Sequence, residues 1–154
     1  MLVDDSIILE AESSSYDLSA LFSAMEGFRS EYRESGQLPD SNPYFIVMVH
    51  LKNHSGNMIY FGNDISLEVF RNGEWRSIPM RDGYGTFGIG LSLEPGEAYN
   101  SLGINLMNYY EETLTAGRYR ACMTYSINND NKGDHVAFAE FEILSDSAEQ
   151  KADS

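Results

Sequence analysis

Short runs of alternating apolar and polar residues, each closed by a turn signal, make up most of this 154-residue chain. Residues 6–12 predict a first strand, with Ile8 and Glu10 on one face and Ile7, Leu9 and Ala11 on the other. The next segment changes period. Leu18, Leu21, Phe22, Met25 and Phe28 fall at helical spacing, Asp17 or Ser15 can cap the start, and Gly27 with the polar run 29–42 ends the pattern. This predicts a short helix and loop over 17–33, inserted between strands. From residue 43 onward the strand signal dominates. Residues 44–52 predict a central strand, buried on both faces for part of its length. Residues 58–61 and 65–70 predict two more strands, separated by Gly62 and Asn63.

Turn chemistry supports the same division. Asn72-Gly73 is a strong short hairpin signal and joins residues 65–70 to a strand over 75–80. Pro95-Gly96 pre-sets a type II turn between strands at 86–93 and 98–106, since Gly96 can take the positive φ that turn needs. Gly117 offers the same freedom before the alternation Tyr119, Ala121, Met123, Tyr125. Residues 107–113 predict a loop with a helical turn. The final strand pair spans 118–127 and 135–144, joined by the polar loop 128–134. Eight or nine strands with almost no helix predict an all-β sandwich of antiparallel strands, with a small barrel as the structural alternative. One domain is expected over 6–144, followed by a disordered polar tail at 145–154.

Composition narrows the function classes. A hydrophobic content of 42% is that of a globular protein, and ten Tyr with eight Phe favour pleated surfaces. The formal net charge of −14 disfavours nucleic acid and anionic membrane surfaces as partners. Cys122 is the only cysteine, so no intrachain disulfide forms, and its place among apolar neighbours predicts a buried, inert thiol. Residues 1–5 lack a basic region and a long apolar stretch. The expectation is a cytoplasmic chain, or an exported one with its leader trimmed and a starting Met added. No membrane span is expected.

Catalytic and metal constellations are absent from the sequence. His50, His54 and His135 lack the spacing of a zinc site, and no nucleophile elbow, phosphate loop or His-Glu-x-x-His motif occurs. Residues 128–134 carry oxygen-bearing side chains and Gly133, but Lys132 stands where a calcium loop would need a ligand and no closing Glu follows. Glu111-Glu112 reads as solvated charge. Asn53-His54-Ser55 matches a glycosylation sequon, informative only in a secreted eukaryotic protein. The contact candidates are loop aromatics: Tyr84 between two glycines, and Tyr109-Tyr110 beside the acidic pair, which either pack over the sandwich end or stand exposed to stack on sugars or anchor a protein.

One resemblance rests on several pieces in order: Asn53 and Ser55, Phe61-Gly62, Leu67-Glu68, Gly73-Glu74-Trp75 with Ile78-Pro79, Leu93-Glu94-Pro95-Gly96, Leu114-Thr115-Ala116-Gly117-Arg118-Tyr119-Arg120, and Phe138-Ala139-Glu140-Phe141. From residue 44 to 143 the chain resembles a bacterial immunoglobulin-like domain family of Gram-positive surface proteins and lipoproteins. The resemblance implies an immunoglobulin-like sandwich of about 7–9 strands with no catalytic residues, no cofactor and no metal. It implies an extracytoplasmic role in protein interaction or scaffolding, with an unknown protein or cell-envelope partner. Carbohydrate binding by the loop aromatics is the alternative. It also implies that Trp75, at a fixed distance from the hairpin glycine, is largely buried. Tyr119 is placed to turn its hydroxyl onto the backbone at a sandwich corner, with Arg118 and Arg120 on the opposite face, either solvated or pairing across strands rather than binding an anion.

Overall fold

A computed structural model describes residues 3–35, 44–81, 90–127 and 135–145, with backbone alone at 35, 63 and 64. These residues form β1 (Ile7–Ala11), β2 (Ser15–Asp17), α1 (Leu18–Ser35), β3 (Ile46–Asn53), β4 (Ile59–Arg71), β5 (Glu74–Ile78), β6 (Leu91–Leu93), β7 (Ala98–Asn105), β8 (Gly117–Ile127) and β9 (His135–Leu144). Two 3₁₀ turns, Leu106–Asn108 and Glu111–Thr113, lie between β7 and β8. A three-stranded sheet has the order β1-β3-β7, and a six-stranded sheet has the order β2-β9-β8-β4-β5 with β6 also on β4. All pairings are antiparallel except β2 with β9, so the N-terminal segment contributes one strand to each sheet.

The period-2 pattern decides which face is core. On β3, Val47, Val49, Leu51 and Asn53 are buried, while Ile46, Met48, His50 and Lys52 are half-buried on the outer face. The central strand is therefore covered on one face, not on both as its apolar run suggested. On β4, Leu67 and Val69 point inward against Tyr119, Ala121 and Met123 of β8 and Ala139 and Phe141 of β9. Gly62 and Asn63 do not separate two strands. β4 runs continuously through them, and a register shift against β8 between Phe61 and Ile65 absorbs the irregularity.

The helix also outlasts its predicted end. Leu21 and Met25 are fully buried, and Phe28 packs edge-on against Phe45 with ring centres 5.4 Å apart. A mid-helix glycine costs only about 1 kcal/mol, so that buried stripe carries the helix through Gly27. Beyond it, Arg29 and Arg33 both reach back to Glu26 at 3.3 Å.

The two signalled turns take the backbone their residues favour. Asn72 and Gly73 have φ of 54° and 79°, and Gly96 has φ of 85°. Gly117 does not share this role: it lies inside β8 without a positive φ. The Pro95-Gly96 turn docks on Asn53, whose carbonyl accepts from the Gly96 amide at 2.7 Å. The fully buried Asn53 side chain donates to the Leu93 and Asn57 carbonyls at 3.0 and 2.8 Å. Its oxygen accepts from the Ser55 amide and hydroxyl at 3.0 and 2.6 Å. Every hydrogen-bonding group of the amide is used, and the sequon asparagine is inaccessible in the folded domain.

Burial also sets the alkaline response. It pushes the hydroxyls of Tyr16, Tyr109 and Tyr125 from 10.0 up to about 12, and the Cys122 thiol from 9.0 up to about 12. The unfolded chain releases these protons first. The stability they contribute is whole below the unfolded values and is lost as pH rises through the folded ones. The urea midpoint is expected to hold from about pH 7 to 8.5 and to fall steeply above about pH 10. A flat midpoint up to about pH 12 would contradict this packing.

Candidate functional site

Outward-facing positions of the six-stranded sheet assemble a continuous band of arginine and aromatic side chains. Register places Phe70 of β4 opposite Trp75 of β5 and Arg118 of β8. One step along, Glu68 lies opposite Ser77 and Arg120, and Arg120 lies opposite Glu140 of β9. The Trp75 and Phe70 rings meet edge to face, with centres 5.2 Å apart. The Arg120 guanidinium carbon sits 4.3 Å from the Trp75 ring centre and 3.8 Å from that of Phe138, between the two rings. Its Nε donates to Glu68 Oε1 at 2.7 Å, and only 20% and 22% of those two side chains are exposed. Arg118 lies 5.3 Å from both the Phe70 and the Trp75 ring centres, and its Nε donates to Glu140 Oε1 at 2.6 Å.

Trp75 is thus not the largely buried indole that the resemblance implied. Its ring is half-buried on the solvent side of the sheet. The reason is parity: Ile78 is the inward residue of β5, and Trp75 is an odd number of positions away. The sequence left Arg118 and Arg120 between solvation and cross-strand pairing; the structure shows the pairing, together with rings that the sequence did not reveal. Those contacts depend on pairings between β4, β8 and β9 that no local pattern encodes. Cys122 follows on the same outer face, opposite Ser66 and Phe138, and is 7% exposed with its thiol kept protonated by burial. It is an inert filler here.

The predicted loop aromatics divide. Tyr84 and the polar loop 128–134 lie outside the described residues. Tyr109 is 2% exposed, and its hydroxyl has no hydrogen-bond partner among the described residues. It is a core residue closing the sandwich end, so its ring cannot serve as a contact. Tyr110 is 37% exposed and opens onto a cleft of about 330 Å³ lined by Arg29, Arg81, Tyr110, Glu111 and Glu112. Arg29 crosses from α1 to donate to Glu111 Oε1 at 2.6 Å. The three histidines sit apart: His50 meets Asn100 at 2.9 Å, His54 follows β3, and His135 stacks on Tyr125 at 5.2 Å. Among the described residues no three His, Cys, Asp or Glu side chains converge as metal ligands would.

At the corner before β8, the Tyr119 hydroxyl donates to the Thr115 carbonyl at 2.6 Å and accepts from the Thr115 amide at 3.0 Å. That closed loop, the split first strand and the two-sheet order are those of an immunoglobulin-like sandwich. A family model described as a bacterial Ig-like domain matches residues 37–142, well over half of the chain. The chain belongs to the bacterial Ig-like domain family. No curated protein matches it. Within this Ig-like domain the matched region covers the whole arginine–aromatic band and excludes β1, β2 and all of α1. Ig-like domain families of this kind are generally non-catalytic.

Proposed function

We propose that this Ig-like domain is a protein-contact module working outside the cytoplasm, and that it engages its partner through the outer face of the six-stranded sheet. The carrying observation is the band of Trp75, Phe70 and Phe138 threaded by Arg118 and Arg120. Tryptophan, tyrosine and arginine are enriched in the energetic centres of protein interfaces, the aromatic rings because they bring a large contact area with little entropy to lose. Here the guanidiniums are already oriented by Glu68 and Glu140, so a partner meets a fixed surface. Arg118 and Arg120 each pair with one of those two carboxylates, on a chain of net charge −14. Family membership supports an extracytoplasmic setting, and no helix among the described residues is long and apolar enough to cross a membrane.

The test is retention of the labelled domain on envelope fragments from the bacterium that encodes it. Trp75→Ala is expected to weaken the protease-sensitive part of that retention at least ten-fold, the loss typical of an aromatic hot spot. Glu10→Gln, on the three-stranded sheet, should leave it unchanged. Protease-sensitive retention that survives Trp75→Ala would overturn the assignment of the face.

A further inference from the structure

The cleft beside Tyr110 carries an inference of its own, independent of the sheet face. We propose that it is a binding site for a neutral, hydroxyl-rich sugar. Three parts of the fold build it: Arg29 on α1, Arg81 after β5, and Tyr110 to Glu112 around the second 3₁₀ turn. Its volume of about 330 Å³ is at the lower end of small-ligand sites, enough for one or two sugar rings.

The walls are fixed before any ligand arrives. Arg29 Nη2 donates to Glu111 Oε1 at 2.6 Å, and its Nη1 donates to Glu26 at 3.3 Å. The Thr113 hydroxyl donates to the Tyr110 carbonyl at 2.6 Å. The Arg81 amide donates to the Asn108 carbonyl at 2.8 Å, which ties the segment after β5 to the first 3₁₀ turn. A preorganised site loses less on binding than one that must be ordered.

Charge selects the ligand class. Arg29 and Arg81 balance Glu111 and Glu112, so the cleft is neutral within a chain of net charge −14. An anion would approach against that field and compete with Glu111 for Arg29. A cation would compete with Arg29 for Glu111. A neutral ligand does neither. The lining offers guanidinium donors, carboxylate acceptors and one phenol within a single small space, and adjacent sugar hydroxyls, each both donor and acceptor, answer that mixture. The Arg81 guanidinium lies over the Tyr110 ring, 5.7 Å from its centre, and the part of the ring left exposed supplies an apolar surface for the C–H face of a pyranose.

Amide chemical shifts of the isotope-labelled domain would be followed while neutral tetrasaccharides of glucose, mannose, galactose and N-acetylglucosamine are added. Trigalacturonate and a lysine-containing tetrapeptide serve as charged probes. At least one neutral sugar is expected to give saturable shifts at residues 29, 81 and 110–112. Tyr110→Ala should weaken that binding at least ten-fold, and Glu112→Gln should weaken it measurably, while both variants keep the wild-type melting temperature within a few degrees. Tyr110→Phe, which keeps the ring, should retain most of the affinity. Three results would overturn the proposal: no shift with any neutral sugar, tighter binding of either charged probe, or sugar shifts that persist unchanged in Tyr110→Ala.

Discussion

Replacing Asn53 with alanine is expected to lower the unfolding free energy by about 3 kcal/mol, because it strips partners from several buried groups at once. The Leu93 and Asn57 carbonyls lose their donor, and the Ser55 amide and hydroxyl lose their acceptor. Leu93 ends β6, so losing its donor loosens the connection between β6 and β7 as well, while the backbone bond from the Gly96 amide to the residue-53 carbonyl is kept. Asn53→Asp separates hydrogen bonding from size. It places a carboxylate where two carbonyl oxygens point, and so raises the folded-state pKa of the new group above its unfolded value. That variant should be least stable at neutral pH and recover as pH falls, whereas Asn53→Ala should show no such recovery. Urea unfolding at about pH 7 and pH 4.5 distinguishes them.

Tyr119→Ala is expected to cost about 3–5 kcal/mol, the range for truncating a large aromatic in a core. The ring is fully buried and stacks on Phe141, with centres 5.8 Å apart at 16°. Tyr119→Phe keeps that packing and removes only the hydroxyl. It leaves the Thr115 amide and carbonyl without the partner described here, and should cost about 1–2 kcal/mol. Denaturant midpoints of the pair apportion the corner between packing and hydrogen bonding. Equal losses for the two variants would mean that the ring contributes little.

The local elements were legible because their causes are local. Alternation marks β1, β8 and β9, and Asn72-Gly73 and Pro95-Gly96 take positive φ as their residue types require. The helix was visible in its apolar stripe. Its end was not, since Glu26, Arg29 and Arg33 support it through ion pairs beyond Gly27. Gly62 was misleading for a different reason: a register shift lets one long strand hold an irregularity that reads as a break. The surfaces were least legible. Arg29 and Glu111 meet although they are 82 positions apart, and Trp75 finds Arg118 and Arg120 only once β4 has paired with both β5 and β8. Tyr109 and Tyr110 are neighbours in an aromatic pair, yet backbone direction sends one ring into the core and leaves the other open. Composition could mark that pair as interesting but could not divide it.

The outer face of the six-stranded sheet can be interrogated directly by placing a photoreactive amino acid at Ser77. That exposed position lies beside Glu68, in the row that holds Arg120. A second copy with the probe at the exposed Glu10 of β1 reports on the opposite sheet. Both proteins would be irradiated on intact envelope fragments from the bacterium that encodes the domain. The expected result is a discrete protein adduct from Ser77 that disappears when Trp75→Ala is added, with no matching adduct from Glu10. A protein adduct from Glu10 alone, or an identical adduct from both positions, would contradict the assignment of the contact to the arginine–aromatic face.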